Sequence, residues 1–425
     1  GDMLSGPCEK ANYGAMLEHM DQLSPEQRKK QLGADRHKLW GYPGYEIIAE
    51  SARPYWYGKG LSAGFLPGCH EPAVWDAILE GKPYQVSGLI SGACNPLVAY
   101  PNTKRIYKAL KSARLELSVV AEQWMTPSAM LADYVFPITN WLEHPQLYTQ
   151  TFQGSGNTAA IGEQVVTPLH ERKSDFEFYR GLGLKLGQEK YWHDSLDQEW
   201  DWCLQPLLQE LNLDSAREFA TKQRWWSPPA VEKRYETIDP KTSNPRGFAT
   251  PTGKVELYST ILEKLGYDPL PGYQEPPETP ISQPELAKKY PFILITGARF
   301  RPMHHSEHRQ IRSLRKLYPF PTAEINPETA HRLGIGEGDW MVIETPRGKI
   351  KQKAKLTSRI LPRIVESQHG WWFPEEIGED PILFGVFESN VNVLTPDSEE
   401  FCDPATGAVT FGHLLCRVYP LKKYV

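Results

Sequence analysis

INPETAHRLGIGEGDWMVIETPRGKIKQKAKL, residues 325–356, spells out one helix and two strands with their punctuation in place. Asn326 can accept from the free amides of a first helical turn, and Pro327 follows where a missing N–H costs nothing. ETAHRL continues the helix, and Gly334 supplies the residue that stops it. Trp340–Thr345 and Lys349–Leu356 then read as strands joined by the turn Pro346–Arg347–Gly348. Past that turn polar and apolar residues alternate, as expected where only one sheet face is buried. Upstream, PFILITGA (291–298) is an apolar strand, and downstream Ile364–Val365 begins another. Short strands with short connections predict a small barrel over 290–425. The alternating lysines from Lys349 to Lys355 suit a solvated barrel edge. Without interleaved aromatics they are no nucleic-acid surface.

Toward the amino terminus, residues 225–289 are punctuated by proline and glycine every few positions and form a connection. Residues 171–224 are helical: Ser174–Leu186, with Phe176, Phe178, Tyr179, Leu182 and Leu186 as an apolar stripe, and one or two helices within Leu196–Phe219. Residues 81–170 alternate strand and helix. YQVSGLISG (84–92), Leu115–Ala121 and Tyr134–Pro137 are strands; Asn102–Ser112 and Thr126–Asp133 are helices. That rhythm predicts a parallel α/β sheet covered on its faces. From Asn140 to Leu169 the chain is a polar excursion over a surface or ligand. Residues 1–80 are aromatic and irregular, with short helices at 9–20, 42–51 and 71–80.

Composition narrows the class. The chain has 425 residues, enough for two or three cores, and a net charge of -5 that gives no general attraction to nucleic acid or anionic membranes. No apolar run reaches the length of a membrane span. Cys8, Cys69, Cys94, Cys203, Cys402 and Cys416 are scattered, with no CxxC pair, so a zinc or iron–sulfur knuckle is not supported. No signal peptide is recognisable. Gly1 reads as a remnant of a truncated chain rather than a natural start, so cytoplasmic and periplasmic location of a longer parent both stay open.

Two strand ends carry the candidate chemistry. SGACNP (91–96) follows an apolar strand, where ligands of open parallel sheets lie; Gly92 permits close backbone approach and Asn95 can donate and accept. Cys94 has no neighbouring base and reads as an inert thiol. In TGARFRPMHHSEHR (296–309), Thr296 and Gly297 end a strand, Arg299 can grip a phosphate with two N–H groups, and Ser306 can donate. Amides opening a following helix would add to anion binding. His304 and His308 stand four apart, but zinc needs a third ligand that no neighbouring motif provides. HGWW (369–372) either closes an apolar core or covers a heterocycle with its indoles. Asn390 and Asn392 alternate on NVNVL; Asn392 is the better ligand contact and Asn390 the better turn residue.

Four stretches, in order, resemble the molybdopterin oxidoreductase (dimethyl sulfoxide reductase) family: SGACNP (91–96), EQWMTPSAMLADYVFP (122–137), FATPTGKVELYS (248–259), and LITGARFRPMHHSEHR (294–309) with INPETAHRLGIGEGDWMVIETPRGKI (325–350) and SNVNVLT (389–395). The resemblance implies an α/β fold, a parallel-sheet α/β domain followed by a double-psi β-barrel domain that binds the molybdopterin dinucleotide. It implies bis-molybdopterin guanine dinucleotide carrying molybdenum or tungsten. Cofactor contacts implied are Gly92, Asn95, Glu122, Asp133, Thr296, Gly297, Arg299, His304, His305, Ser306, His369, Trp371 and Asn392. Glu122 or Asp133 would accept from the guanine edge, although Glu122, Trp124 and Ser128 depart from the family's Asp, Phe and Thr.

The family's amino-terminal cluster motif and metal ligand have no counterpart in these 425 residues. The expectation is therefore a carboxy-terminal portion, apo in isolation, whose parent holds a 4Fe-4S cluster in the amino-terminal portion. Expected partners are that portion, an iron–sulfur electron-transfer subunit and a membrane anchor subunit. The parent is expected to be an oxidoreductase close to the thiosulfate or polysulfide reductases, with no catalytic residue named here. Two other readings are a non-redox hydratase of the same family and a cofactor-free structural or chaperone-like subunit.

Overall fold

The computed structural model describes residues 24–52, 68–148, 158–227, 232–240, 242–248, 250–410 and 412–421. The helix expected at 9–20 lies outside them, as does Cys8. The chain divides into two compact units, one of residues 1–70, 137–271 and 404–406, the other of 71–136, 272–403 and 407–425.

The second unit begins with a three-stranded sheet in the order β1 (Gly88–Gly92), β2 (Leu117–Glu122), β3 (Tyr134–Pro137). β1 and β2 run parallel, with Gly88 opposite Leu117 and Gly92 opposite Ala121. Helices Glu71–Leu79 and Thr103–Leu110 bury Trp75, Ile78, Ile106 and Leu110 together with Leu97 and Val98. Asn102 caps the second helix by accepting from the Arg105 amide at 3.2 Å. The helix expected over Thr126–Asp133 contracts to the single 3-10 turn Ala129–Leu131. Ser128, which would stand in its first turn, is held elsewhere: its hydroxyl donates to Asn95 Oδ1 at 2.7 Å and accepts from the Leu97 amide at 3.0 Å.

In the first unit, the expected polar excursion carries two strands of a small antiparallel sheet, β4 (Gln146–Tyr148) and β5 (Ala159–Gly162), completed by β6 (Trp225–Trp226). Helices Leu196–Leu211 and Ala216–Lys222 cover it through Leu204, Leu207 and Phe219, packed with Ala159 and Ile161. Helix Asp175–Lys185 opens with a capping box between Ser174 and Glu177. Its expected stripe is half-buried, and Leu186 is exposed. The buried position on this helix is Gly183, where a Cβ would collide with the Trp192 indole.

The remainder of the second unit is a closed barrel. Its strands are β7 (Phe292–Ala298), β8 (Thr322–Ile325), β9 (Trp340–Thr345), β10 (Gly348–Leu356), β11 (Ile364–Gln368) and β12 (Leu414–Pro420). Around the barrel they follow the order β10-β8-β11-β7-β12-β9. β10–β8 and β11–β7 are parallel and the other neighbours antiparallel, a mixture consistent with a double-psi barrel. Leu294, Ile325, Ile343, Val365 and Leu414 fill it. Helix Pro327–Leu333 is capped by Asn326 and stopped by left-handed Gly334 as expected.

The lysine stripe on β10 is not an edge, because closure pairs β10 on both sides. The lysines lie on the outer face: Lys355 reaches Glu324 at 2.7 Å, Lys351 pairs with Glu388, and Lys353 lies 4.2 Å from the Phe320 ring centroid. No helix among the described residues is long and apolar enough to cross a membrane.

Candidate functional site

Parallel neighbours end on the same side of a sheet, so the loops after β7 and β11 emerge together. His369 continues the pairing by donating its amide to Ala298 O at 3.0 Å. The next residue can only be glycine. Gly370 has φ +73°, and a Cβ there would stand 2.4 Å from His305 O. Trp372 closes the contact by donating from Nε1 to Ser306 O at 2.7 Å. Thus the backbone of His305–Ser306 is pressed against Gly370–Trp372, and His305 Nδ1 lies 3.0 Å from His369 Nε2.

Behind this pair sits Arg309, 2% exposed. Its Nη atoms donate to Glu307 O and His369 O, both at 3.1 Å, and Nε has no partner among the described residues. Its guanidinium carbon is 5.2 Å from the Trp371 ring centroid; that of Arg315 is 4.4 Å away. Arg315 has a carboxylate partner, Glu375, at 2.6 Å, whereas Arg309 has none among the described residues. Trp371 is wholly buried, with Phe300 and Phe373 edge-on to it, and Tyr318 stacks on Phe300 at 3.9 Å.

The electrostatics follow from this crowding of cations in a dry place. Burial first, and Arg315 second, pull the Arg309 guanidinium from its ordinary value to about 9. Burial, then His305, Arg309, Arg299 and His304, push the His369 imidazole down to about 4. His305 is lowered by burial and Arg299. Among the described residues of the second unit, Arg309 Nε, Arg315 Nη1, Trp371 Nε1, Gln368 Nε2 and Asn95 Nδ2 are buried donors without an acceptor, as is Arg417 Nε on β12. Buried donors almost always find acceptors. An acceptor-rich anionic ligand would supply them.

The residues singled out from sequence distribute unevenly around this cluster. His305, Ser306, His369 and Trp371 are drawn together. Thr296 lies opposite Ser367 near the end of β7, Gly297 follows with φ +101°, and Arg299 is exposed. His304 is also exposed and edge-on to the His305 ring at 4.4 Å. The helix that would align His304 with His308 is absent: residues 299–311 are turns, His305 and His308 have positive φ, and the next helix, Arg312–Arg315, is one turn long. His308 Nδ1 instead lies 3.1 Å from Pro302 O. Gly92 ends β1 and Asn95 is buried just beyond it. Glu122 ends β2, its carboxylate accepting from the Gln123 amide at 2.7 Å.

Two of the expected contacts make hydrogen bonds within the protein. Asp133 accepts from the Ser118 amide at 2.7 Å and donates its own amide to Ser118 O at 2.9 Å, tying the start of β3 to β2. NVNVL is a 3-10 turn over Val391–Val393, not an alternating strand. Asn392 Nδ2 donates to Val98 O at 2.9 Å, and Asn390 Nδ2 donates to Val98 O and the Thr103 hydroxyl at 3.1 Å each. Arg309, Arg315 and Gln368 were missed by sequence reasoning, because burial of a polar side chain is a non-local property.

Comparison with known proteins agrees with the barrel and its loops. Residues 292–415 match the molydopterin dinucleotide binding domain, and residues 56–185 match the molybdopterin oxidoreductase family. The chain belongs to the molybdopterin oxidoreductase family, a family of molybdopterin-dependent enzymes, and carries its dinucleotide-binding domain. It is 35% identical to acetylene hydratase of Syntrophotalea acetylenica over 410 residues, 94% of this chain and 53% of that protein. It is 27% identical over 310 residues to the molybdopterin-containing subunit of thiosulfate reductase from Salmonella typhimurium, 68% of this chain and 38% of that protein. The solved acetylene hydratase from Pelobacter acetylenicus superposes with a TM-score of 0.85 at 31% identity, covering 98% of this chain and 55% of that one. The chain thus spans about half the length of the hydratase, and less of the reductase.

Proposed function

We propose that this chain is the cofactor-holding portion of a molybdenum or tungsten bis-molybdopterin guanine dinucleotide enzyme that hydrates its substrate. The observation that carries cofactor binding is the set of orphaned buried donors around Arg309, Trp371 and Gln368. Three protein features fit the group. Arg299 and Arg309 offer positive charge to a pyrophosphate, the Trp371 and Gln368 N–H groups seek acceptors of the kind that line a pterin, and Phe300, Tyr318 and Phe373 wall out water. Asn95, beyond β1, brings a further donor from the same unit. When bound, the metal centre supplies the activation of substrate or water. The chain orients the cofactor and sets the charge around it.

Hydration is favoured over the expected thiosulfate or polysulfide reduction because the hydratase relative is the more similar over the greater span, 35% over 410 residues against 27% over 310. Adding water changes no net oxidation state, so this reading needs no electron-transfer or membrane-anchor subunit; the polypeptide that completes the enzyme is the partner required. The test uses the complete enzyme of which this chain is part. Aldehyde formed from acetylene without any electron acceptor supports the proposal, whereas viologen-dependent thiosulfate reduction without hydration defeats it. Guanine released on acid treatment, together with elemental analysis, decides cofactor content independently of either activity.

A further inference from the structure

We infer that the His305–His369 pair takes up a proton when an anionic group seats beside Arg309, so that anion binding and protonation are one linked event. The inference rests on the cofactor-anion reading above and adds to it the protonation chemistry of the site. An Nδ1···Nε2 separation of 3.0 Å is a hydrogen bond, and it requires one ring to donate and the other to accept. The pair therefore holds either two neutral rings or one imidazolium and one imidazole. It cannot hold two cations and keep the bond.

The surroundings select the neutral state while no anion is present. Arg299 follows β7, and His304, Glu307 and Arg309 lie on the loop after it; only Glu307 favours the charged form of His305. From the β11 side the same cations act on His369. Arg315, on the neighbouring helix, adds to the cationic crowding at Arg309, and its own carboxylate partner is Glu375. Arg309 donates directly to His369 O, so an anion drawn to Arg309 enters the immediate field of the pair. Its negative charge offsets the cations that hold the rings neutral.

The sign follows from linkage. With His369 at about 4 in the free protein and higher in the complex, the complex binds more protons between those two values. Affinity therefore rises as pH falls through that window, by at most about tenfold per pH unit for one proton, and levels off once both states are protonated.

The probe is diguanosine pyrophosphate, whose esterified phosphates do not titrate in the window. Binding to the full chain is measured by calorimetry at about pH 7.5 and about pH 5.5, in two buffers of different ionisation heat. We expect proton uptake on binding and three- to tenfold tighter binding at the lower pH, inside the limit of about a hundredfold that one proton allows over two pH units. His369→Gln should abolish both differences, so that its affinity, whatever its size, is the same at the two pH values and is reached without proton uptake. His305→Asn gives the same readout if the first variant does not fold, and the buffer comparison on the unsubstituted chain needs no variant. Binding without proton uptake and without pH dependence overturns the linkage and leaves the cofactor reading standing. No binding by the unsubstituted chain at either pH overturns both.

Discussion

Arg309 is the residue on which stability and binding are most plainly opposed. A buried guanidinium whose hydrogen-bond acceptors among the described residues are two carbonyls is costly to fold, and it persists where a ligand later needs it. Arg309→Met should raise stability in the absence of ligand by about 1–2 kcal/mol, read from the urea midpoint, and weaken diguanosine pyrophosphate binding at least tenfold. Gly370→Ala should do the opposite to stability. The new Cβ collides with His305 O, and the left-handed backbone adds strain, so a loss of about 2–3 kcal/mol is expected in the same measurement. Sequence reading named His305, Ser306, His369 and Trp371, which the fold brings together, because histidines, serines and indoles announce their chemistry. It overlooked Arg309 because arginines are ordinarily exposed; only the packing of Trp371 over it shows otherwise.

At the scale of elements, helix Glu71–Leu79 contains an informative conflict. A carboxylate in a first turn is usually stabilised by the helix dipole, an effect worth about 0.3–1 kcal/mol. Here burial outweighs it and pushes the Glu71 carboxyl up to about 7, even though Trp75 Nε1 donates to it and Arg105 is nearby. The folded protein then holds a proton that the unfolded chain releases near 4.5, so stability falls as pH rises from 4.5 to about 7 and is flat beyond. Glu71→Gln should remove that slope and be about 1 kcal/mol more stable than the parent at about pH 8, by urea unfolding at several pH values. Helix Pro327–Leu333 shows the reverse, an element whose ends are dictated locally. Asn326 accepts from the Glu328 amide at 3.0 Å and also donates to Ile360 O at 3.0 Å, so Asn326→Ala should cost about 1–2 kcal/mol. Elements with such local signals were legible. Thr126–Asp133 was not, because Ser128 bonds to Asn95 instead of opening a helical turn.

For the molecule as a whole, each compact unit has its own core, and ligand binding should be felt unequally. At one hundred times its dissociation constant, diguanosine pyrophosphate should stabilise the second unit by about 2.7 kcal/mol. Hydrogen exchange should slow across 292–309 and 364–373 and stay unchanged around Leu204 and Phe219; equal protection in both places would remove the assignment of the site to the barrel loops. What the sequence by itself determined was the set of local features: the barrel strands, the capped helix between them, the parallel α/β rhythm and the ordered motifs of the family. Local propensity, caps and side-chain alternation are encoded within a few residues of where they act. Only the tertiary structure decided that the lysine stripe has no edge to occupy, that Asp133 and Asn392 already have protein partners, and that donors around Arg309 lack them. Those outcomes depend on which distant strands close a barrel and which polar groups that closure removes from water.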